Sequence, residues 1–156
     1  MTTDVSSYDV PPPTAELFGP EWAERLEREL AASEPYRAAA ATWKGSLAFS
    51  LLPDGTPGFA AGRGLFLDLA HGSCRAVRPA LPGDLERATF CLAGPAATWL
   101  RLLAGDLEPG AALMGGGLKL VRGSFFSLLP HLAAAKELLA CAQAVPTHVP
   151  RQGLSS

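Results

Sequence analysis

The chain has 156 residues, a length that suits one domain large enough to bury a hydrophobic core. Hydrophobic residues make up 48% of the chain and charged residues 18%, so the composition excludes a disordered protein. The formal net charge of −2 provides no broad basic field, and we therefore expect no nucleic-acid partner. Three widely separated cysteines without a C-x-x-C pair predict neither a disulfide framework nor a zinc site.

We recognise no targeting signal in the sequence at either end. The N-terminal residues lack the basic and apolar regions of a secretory signal. No uninterrupted apolar run reaches the roughly 18 residues that a membrane-spanning helix needs. We therefore expect a cytoplasmic, bacterial-type protein without stable membrane insertion. Residues 1–16, which include Pro11-Pro12-Pro13, predict a flexible arm, residues 17–147 a single domain, and residues 148–156 a tail.

The first half of the domain reads as a helix followed by strands. Pro20 occupies a favourable first helical position, and Trp22, Leu26 and Leu30 follow at four-residue spacing on one face. A second short helix is expected after Pro35. Period-two alternation then predicts strands over residues 43–51, 65–69, 74–78 and 88–92, with a turn at residues 53–58 and a loop at residues 79–83.

The second half changes to helical spacing. Short helices are predicted over residues 95–104 and Pro109–Met114, a fifth strand over residues 118–121, and a last helix from Ser127 to just before Pro146. This order predicts an α+β fold, in which a five-stranded, mostly antiparallel sheet is covered on one face by helices.

Few residues are spaced for catalysis. Asp68, His71 and Ser73 stand close together, but no Gly-x-Ser-x-Gly elbow presents the serine, so a polar turn is the simpler interpretation. Gly115-Gly116-Gly117 follows a helix and precedes a strand, which is the wrong polarity for a phosphate loop. The histidines and cysteines have no metal-ligand spacing. We therefore predict a protein that is not an enzyme and that uses no cofactor and no metal.

Large apolar side chains are in surplus in the C-terminal half. The fourth strand contributes Phe90 and Leu92, the helix that follows contributes Trp99, and Met114 is the kind of adaptable side chain that fits varied apolar shapes. One face of a five-stranded sheet can bury only part of this surplus. The sequence therefore predicts an apolar ligand cavity, because affinity for a lipid comes from apolar area removed from water.

One block of the same half has a distinctive spacing. It runs Gly105-Asp106-Leu107-Glu108-Pro109, then Ala112, Met114, Gly116, Leu118-Lys119-Leu120 and Gly123. This block resembles the signature of the sterol carrier protein domain family. The N-terminal part of the domain is similar to a bacterial branch of that family at Trp22, Pro35-Tyr36-Arg37 and Thr42-Trp43-Lys44-Gly45. The resemblance extends over residues 20–147.

The resemblance implies a five-stranded sheet with an apolar tunnel between sheet and helices. It also implies non-catalytic binding and transfer of a sterol, fatty acid, fatty acyl-CoA or phospholipid. Onto the matching positions it places tunnel-lining residues, which are Leu103, Leu113, Met114, Leu118, Leu120, Phe126, Leu132 and Leu139. Gly117 and Leu113 depart from the side chains usual in the family, and the peroxisomal address is absent, which leaves the ligand's identity open.

Two other functions remain compatible with the sequence. The same fold with a filled cavity would serve as a protein-interaction module, and an SCP-like domain could act on a small apolar substrate beside a catalytic domain. The oligomeric state, monomer or homodimer, is left open.

Overall fold

A computed structural model describes residues 15–59 and 61–148 of the protein. The α-helices are α1 (Pro20–Ala32), α2 (Glu34–Ala39), α3 (Asp84–Arg87), α4 (Ala96–Ala104), α5 (Pro109–Met114), α6 (Phe125–Leu128) and α7 (Leu132–Gln143). The strands are β1 (Ala15–Glu16), β2 (Lys44–Leu52), β3 (Arg63–Ala70), β4 (Ser73–Pro79), β5 (Phe90–Pro95), β6 (Lys119–Arg122) and β7 (Thr147–His148). The predicted proline-rich arm falls on residues outside the described ranges.

The main sheet has five strands in the order β4-β3-β2-β5-β6. β2 pairs antiparallel with β3 and parallel with β5, while β3 with β4 and β5 with β6 are antiparallel. Leu47 of β2 stands opposite Leu67 of β3, which in turn stands opposite Val77 of β4. These three side chains are buried in one core, because strict alternation directs every second residue to the same face. The predicted α+β, mostly antiparallel class is confirmed.

Helix α1 closes the core at the β4 edge of the sheet. Its Trp22, Leu26 and Leu30 are buried, as their four-residue spacing predicts, and the helix packs against β4 and α7. The exposed side carries an ion pair between Arg25 and Glu21, whose nitrogen and oxygen lie 2.6 Å apart. Because the stripe is apolar only on one side, α1 can lie only with this face toward the sheet.

Helix α3 was missed by the sequence analysis, which expected a loop before the fourth strand. It packs Leu85 against Ala48, Phe66 and Cys91 on the sheet face away from the other helices. Asp84 begins it and is fully buried. Its carboxylate accepts hydrogen bonds from the Leu81 amide at 2.7 Å and from Arg78 at 3.0 Å. Burial works to raise the pKa of Asp84, but the Leu81 amide and the Arg78 guanidinium together hold that pKa below its usual value.

The last helix is broken, where the sequence analysis expected one continuous helix. Helix α6 passes into a 3₁₀ turn, Leu129–His131, before α7 begins. Pro130 explains the break, since it has no amide hydrogen to continue the helical ladder. By length and composition the whole run Phe125–Gln143 is apolar enough to cross a membrane, with a mean hydropathy of 1.3. Its inner stripe, which includes Leu128 and Leu138, packs in the core of the domain, and core helices commonly pass the same test.

A small parallel ladder joins the two ends of the described chain. Ala15 pairs with Thr147 and Glu16 with His148, and the Ala15 amide donates to the Pro146 carbonyl at 3.0 Å. The sequence analysis had assigned Ala15 and Glu16 to the arm and His148 to the tail. A two-residue ladder has too few alternating positions to be read from sequence.

Candidate functional site

An apolar cavity of about 70 Å³ lies between the covered face of the sheet and the helices. Every helix except α3 and every strand of the main sheet except β4 and β6 contributes to its wall. The wall residues are Phe18, Trp22, Tyr36, Trp43, Leu47, Phe49, Leu69, Leu92, Trp99, Leu102, Leu103, Pro109, Leu113, Leu118, Leu128, Leu132, Ala134, Ala135, Leu138, Leu139 and Ala142. Such a wall offers a ligand apolar contact and almost no charge.

Most of the predicted ligand-binding residues come together in this wall. They are Leu92, Trp99, Leu103, Leu113, Leu118, Leu132 and Leu139. Five of them lie on helices α4, α5 and α7, while Leu92 lies on β5 and Leu118 directly precedes β6. Their spacing on the helices explains the grouping, because residues 132, 135 and 139 of α7 lie on one helical face.

Four predicted residues lie outside the wall. Phe90 is buried, but its ring packs beside Trp43 at 5.5 Å between centroids, and Leu120 packs against the core at the edge of the sheet. Met114 is 81% exposed and Phe126 is 82% exposed. Met114 is the last residue of α5, and Phe126 lies on the outer side of the single-turn α6, whose inner residue is Leu128. The structure places these four residues outside the cavity wall, and their contact with a ligand stays a prediction.

The N-terminal part of the wall is not among the residues predicted from the sequence. Phe18, Trp22, Tyr36, Trp43 and Phe49 all line the cavity. Their spacing marks several of them as buried, but a buried position in a core and one in a cavity wall have the same sequence pattern. The available signal was their size, since five of the eleven aromatic side chains in the described residues are found here.

Three of these rings, Phe18, Trp22 and Phe49, form a connected group with Trp99 in the wall. Phe18 contacts Trp22 and Trp99 edge to face, with centroids 5.5 and 5.4 Å apart, and lies 6.0 Å from Phe49. Phe49 and Trp99 are themselves 5.0 Å apart. Aromatic pairs with this geometry add about 0.5–1.5 kcal/mol beyond their burial. These ring contacts therefore stabilise the part of the wall that these residues form.

Polar atoms in the wall are satisfied with one exception. The indole nitrogens of Trp22, Trp43 and Trp99 donate to the Thr147 hydroxyl and to the carbonyls of Gly45 and Ser50, at 2.8, 3.2 and 3.1 Å. The Tyr36 hydroxyl is buried and has no hydrogen-bond partner among the described residues. Burial, with a smaller effect of the Cys74 and Cys141 thiols, raises the pKa of the Tyr36 phenol well above its usual value. Tyr36 is therefore uncharged at neutral pH.

The predicted tunnel is not shown. In the described part of the chain the void holds about 70 Å³, whereas pockets for small molecules usually measure roughly 300–1,000 Å³. A cavity of about 150 Å³ is needed in a dry apolar core to take one benzene ring. A lipid chain can therefore enter only if the wall moves.

The polar side chains of the predicted turn, Asp68 and His71, contact neighbouring residues of the fold. Asp68, at the end of β3, pairs with Arg75 at 3.1 Å, and the His71 ring nitrogen faces the Ala41 carbonyl at 3.4 Å. Both residues are thus engaged away from Ser73, in agreement with a polar turn. Among residues 15–59 and 61–148, no group of three or more His, Cys, Asp or Glu side chains is placed to hold a metal ion.

Comparison with known proteins agrees with this architecture. Residues 23–123 match the model of the SCP-2 sterol transfer family. A crystal structure of sterol carrier protein 2 is 42% identical with a TM-score of 0.75, over 83% of this chain and 99% of that one. A solution structure from Thermus thermophilus, described as a candidate sterol carrier protein, is 41% identical with a TM-score of 0.76, over 87% and 94%. The apo form of sterol carrier protein 2 from Yarrowia lipolytica, 17% identical over 78% and 88% with a TM-score of 0.52, shares the fold.

Comparison with curated proteins gives no significant match. The family model nevertheless spans the sheet from α1 to the glycine that closes β6, and two solved structures agree with it at more than 40% identity. The chain belongs to the SCP-2 sterol transfer family.

Proposed function

We propose that the protein binds and transfers a lipid without catalysing a reaction. Membership of the family supports lipid binding or transfer in general. The observation that carries the proposal is the cavity, whose wall is apolar from α1 through α7. Burying each methylene of a ligand chain contributes about 0.8 kcal/mol, so a long chain needs no charged contact to bind tightly.

The ligand class we propose is a fatty acid, fatty acyl-CoA, phospholipid or sterol-like molecule, with its apolar part against the seven predicted residues of the wall. Among these a flexible acyl chain suits the cavity best. A flexible chain can extend a narrow void stepwise, whereas a rigid ring system needs its whole volume at once.

Helix α5 is the proposed route of entry. It is a single short helix that buries only Ala112, and glycines follow it at positions 115, 116 and 117. The left-handed backbone of Gly105 and Gly116, with φ of 82° and 84°, marks turns on both sides. Pro109 and Leu113 nevertheless reach the cavity from this helix. Displacing α5 outward would enlarge the void and would break the hydrogen bond that the Leu118 amide donates to the Ala112 carbonyl at 3.0 Å.

Tryptophan fluorescence provides the test, because all three tryptophans of the chain line the cavity. Delipidated protein is titrated with palmitate and with a cholesterol analogue. We expect saturable quenching or a spectral shift at micromolar palmitate. The absence of saturable binding of any lipid would contradict the proposal.

A matched pair of alanines in α7 sharpens the test. Ala135 lines the cavity, whereas Ala133, two residues earlier, faces solvent. Leucine at position 135 adds three carbon atoms to a side chain that lines the void, and these atoms compete with a ligand for the space. We expect Ala135→Leu to fold and lose binding at least tenfold, and Ala133→Leu to bind as the wild type does.

The small volume of the void favours one alternative, a protein-interaction module whose cavity is permanently filled. In that case mass spectrometry of the purified protein under native conditions finds no bound lipid, and Ala135→Leu changes no measured interaction.

A further inference from the structure

The Tyr36 hydroxyl is the one polar side-chain atom of the cavity wall that has no hydrogen-bond partner in the described part of the chain. Tyr36 is buried, with 1% of its surface exposed. Buried polar side chains are nearly always hydrogen-bonded, to protein or to ordered water, so this atom calls for an explanation. Phenylalanine would fill the same space without burying an unpaired oxygen, and the oxygen therefore adds nothing to the packing of the fold.

The surroundings of the hydroxyl place it between the sheet and α7. The phenol interacts with the thiols of Cys74 on β4 and Cys141 on α7, and both thiols contribute to the raised pKa of Tyr36. Cys74 pairs with Leu69 across the ladder of β3 and β4, and Leu69 lines the cavity. Ala142, which directly follows Cys141 on α7, lines it as well. The hydroxyl therefore lies beside wall residues of both layers.

Two contacts hold the Tyr36 ring in this position. The Ser33 hydroxyl accepts a hydrogen bond from the Tyr36 amide at 3.1 Å and so caps the first turn of α2. Helix α2 itself packs against α7. The ring can therefore keep its place when α5, the helix at the proposed route of entry, moves outward.

Neither the nearby thiols nor water supplies the missing partner. The sulfur atoms of Cys74 and Cys141 lie 3.8 Å from the carbonyl oxygens of Ala76 and Glu29, and sulfur is a weak acceptor. A buried water molecule typically makes about three hydrogen bonds. Tyr36 would supply one of these, and the wall has no second unpaired polar side-chain atom among the described residues. A bound ligand is the partner that remains.

The chemistry of the wall decides which acceptor fits. None of its side chains carries a charge, so an ionised head group would be buried without a counter-ion, which costs far more than burial of a neutral group. The Tyr36 phenol is uncharged at neutral pH and can donate its proton to an oxygen acceptor. The carbonyl of an ester is such an acceptor, since it is neutral and has no proton of its own that needs a partner.

We infer that the Tyr36 hydroxyl donates a hydrogen bond to the carbonyl of an uncharged acyl ester bound in the cavity, and that Tyr36 thereby selects esters over free fatty acids and hydrocarbons. The inference rests on the proposed binding of a lipid in this cavity and names the class of lipid. A fatty acid can still bind through its chain, with its ionised carboxylate in water, but it then leaves the hydroxyl unpaired.

The test titrates three ligands into delipidated wild-type protein and Tyr36→Phe at neutral pH, with binding followed by tryptophan fluorescence. Methyl laurate carries the ester, tetradecane has a similar chain length without oxygen, and laurate is the ionised acid. We expect Tyr36→Phe to weaken binding of methyl laurate about fivefold, the contribution of one neutral hydrogen bond. The affinities for tetradecane and laurate should change by less than about twofold, because neither ligand pairs with the hydroxyl.

A second measurement reports the hydrogen bond itself. The infrared carbonyl stretch of bound methyl laurate, with an isotope label on the carbonyl carbon to separate it from the amide band, should lie at lower wavenumber in wild-type protein than in Tyr36→Phe. A hydrogen bond weakens the C=O bond, and a purely structural role of Tyr36 would leave this band unmoved.

Leu69→Val provides a matched control, since it removes one carbon atom from the wall close to the hydroxyl and no polar atom. We expect it to change the affinities for all three ligands by the same factor and to leave the carbonyl stretch at its wild-type position.

The inference and the proposed lipid binding fail separately. If none of the three ligands gives saturable binding, lipid binding is contradicted and the role of Tyr36 with it. If tetradecane and laurate bind, but Tyr36→Phe changes all three affinities equally or leaves the carbonyl stretch where the wild type has it, only the role of Tyr36 is overturned.

Discussion

Replacing Tyr36 by phenylalanine removes one buried oxygen and leaves the aromatic ring unchanged. In the described residues that hydroxyl has no hydrogen-bond partner, while the unfolded chain hydrogen-bonds it to water. A buried polar group without a partner costs about 1–3 kcal/mol. The gap left behind is one atom wide, and its cost is smaller than this. We therefore expect Tyr36→Phe to raise the free energy of unfolding by about 1–2 kcal/mol.

The assay is urea unfolding of delipidated protein at pH 7, followed by tryptophan fluorescence, with a thermal melt as second readout. For a chain of this size, 1 kcal/mol corresponds to about 2–4 °C in the midpoint of thermal unfolding. The direction of the change distinguishes two cases. Removing a hydroxyl without a partner raises the free energy of unfolding, whereas removing a hydrogen-bonded hydroxyl lowers it by about 0.5–1.5 kcal/mol.

Alkaline pH gives an independent measurement on the same pair of proteins. Burial raises the pKa of the folded-state phenol, so the stability linked to Tyr36 is complete below the unfolded pKa of about 10 and falls as pH rises above it. The gap between the variant and the wild type should therefore widen above pH 10. A variant less stable than the wild type at pH 7, with no widening, would refute the reasoning and show that the hydroxyl has a partner.

Three further changes test other parts of the fold. Asp84→Asn should cost about 2–3 kcal/mol in urea unfolding, because it leaves the Arg78 guanidinium without its buried carboxylate. Since the folded pKa of Asp84 is lowered, its contribution is present above the unfolded pKa of about 4 and lost as pH falls through the folded pKa, so the variant should show a weaker acid dependence than the wild type. Gly123→Ala should cost about 2–4 kcal/mol in the same assay, because φ is 93° and the new Cβ would stand 2.5 Å from the Phe90 ring. Burial raises the pKa of the Cys74 thiol to about 12, so a thiol reagent at pH 8 should label it only after unfolding, and fast labelling of native protein would contradict its burial.

The sequence predicted those elements that have one strong period. Trp22, Leu26 and Leu30 repeat at four-residue spacing, and Leu65, Leu67 and Leu69 alternate, and each set is buried as expected. Helix α3 could not be found this way, because four residues are too few to show a period. It is held by hydrogen bonds that the Asp84 carboxylate accepts from Arg78 at the end of β4 and from the Leu81 amide in the loop before the helix, and these contacts leave no periodic pattern in the sequence.

More of the wall residues on α4, α5 and α7 could be predicted from the sequence than of those on the N-terminal elements. Leu113 and Met114 are adjacent and similarly apolar, yet one lines the cavity and the other lies in the solvent. Which of the two turns inward depends on the angle at which α5 lies on the domain, and composition carries no information about that angle. Tyr36 shows a second limit, since only the structure reveals which polar atoms in the wall have partners.

The ladder between β1 and β7 brings the described ends of the chain together. Neighbouring strands lie about 4.8 Å apart and each residue advances about 3.3 Å. Since Ala15 pairs with Thr147, the backbones of Ala15 and His148 lie close together. A circularly permuted chain is therefore feasible, in which a linker of about a dozen residues, the length that a parallel pair requires, joins these ends and new termini open in the exposed turn around Gly55. Such a permutant would retain the sheet and the cavity while moving both termini to the far end of β2.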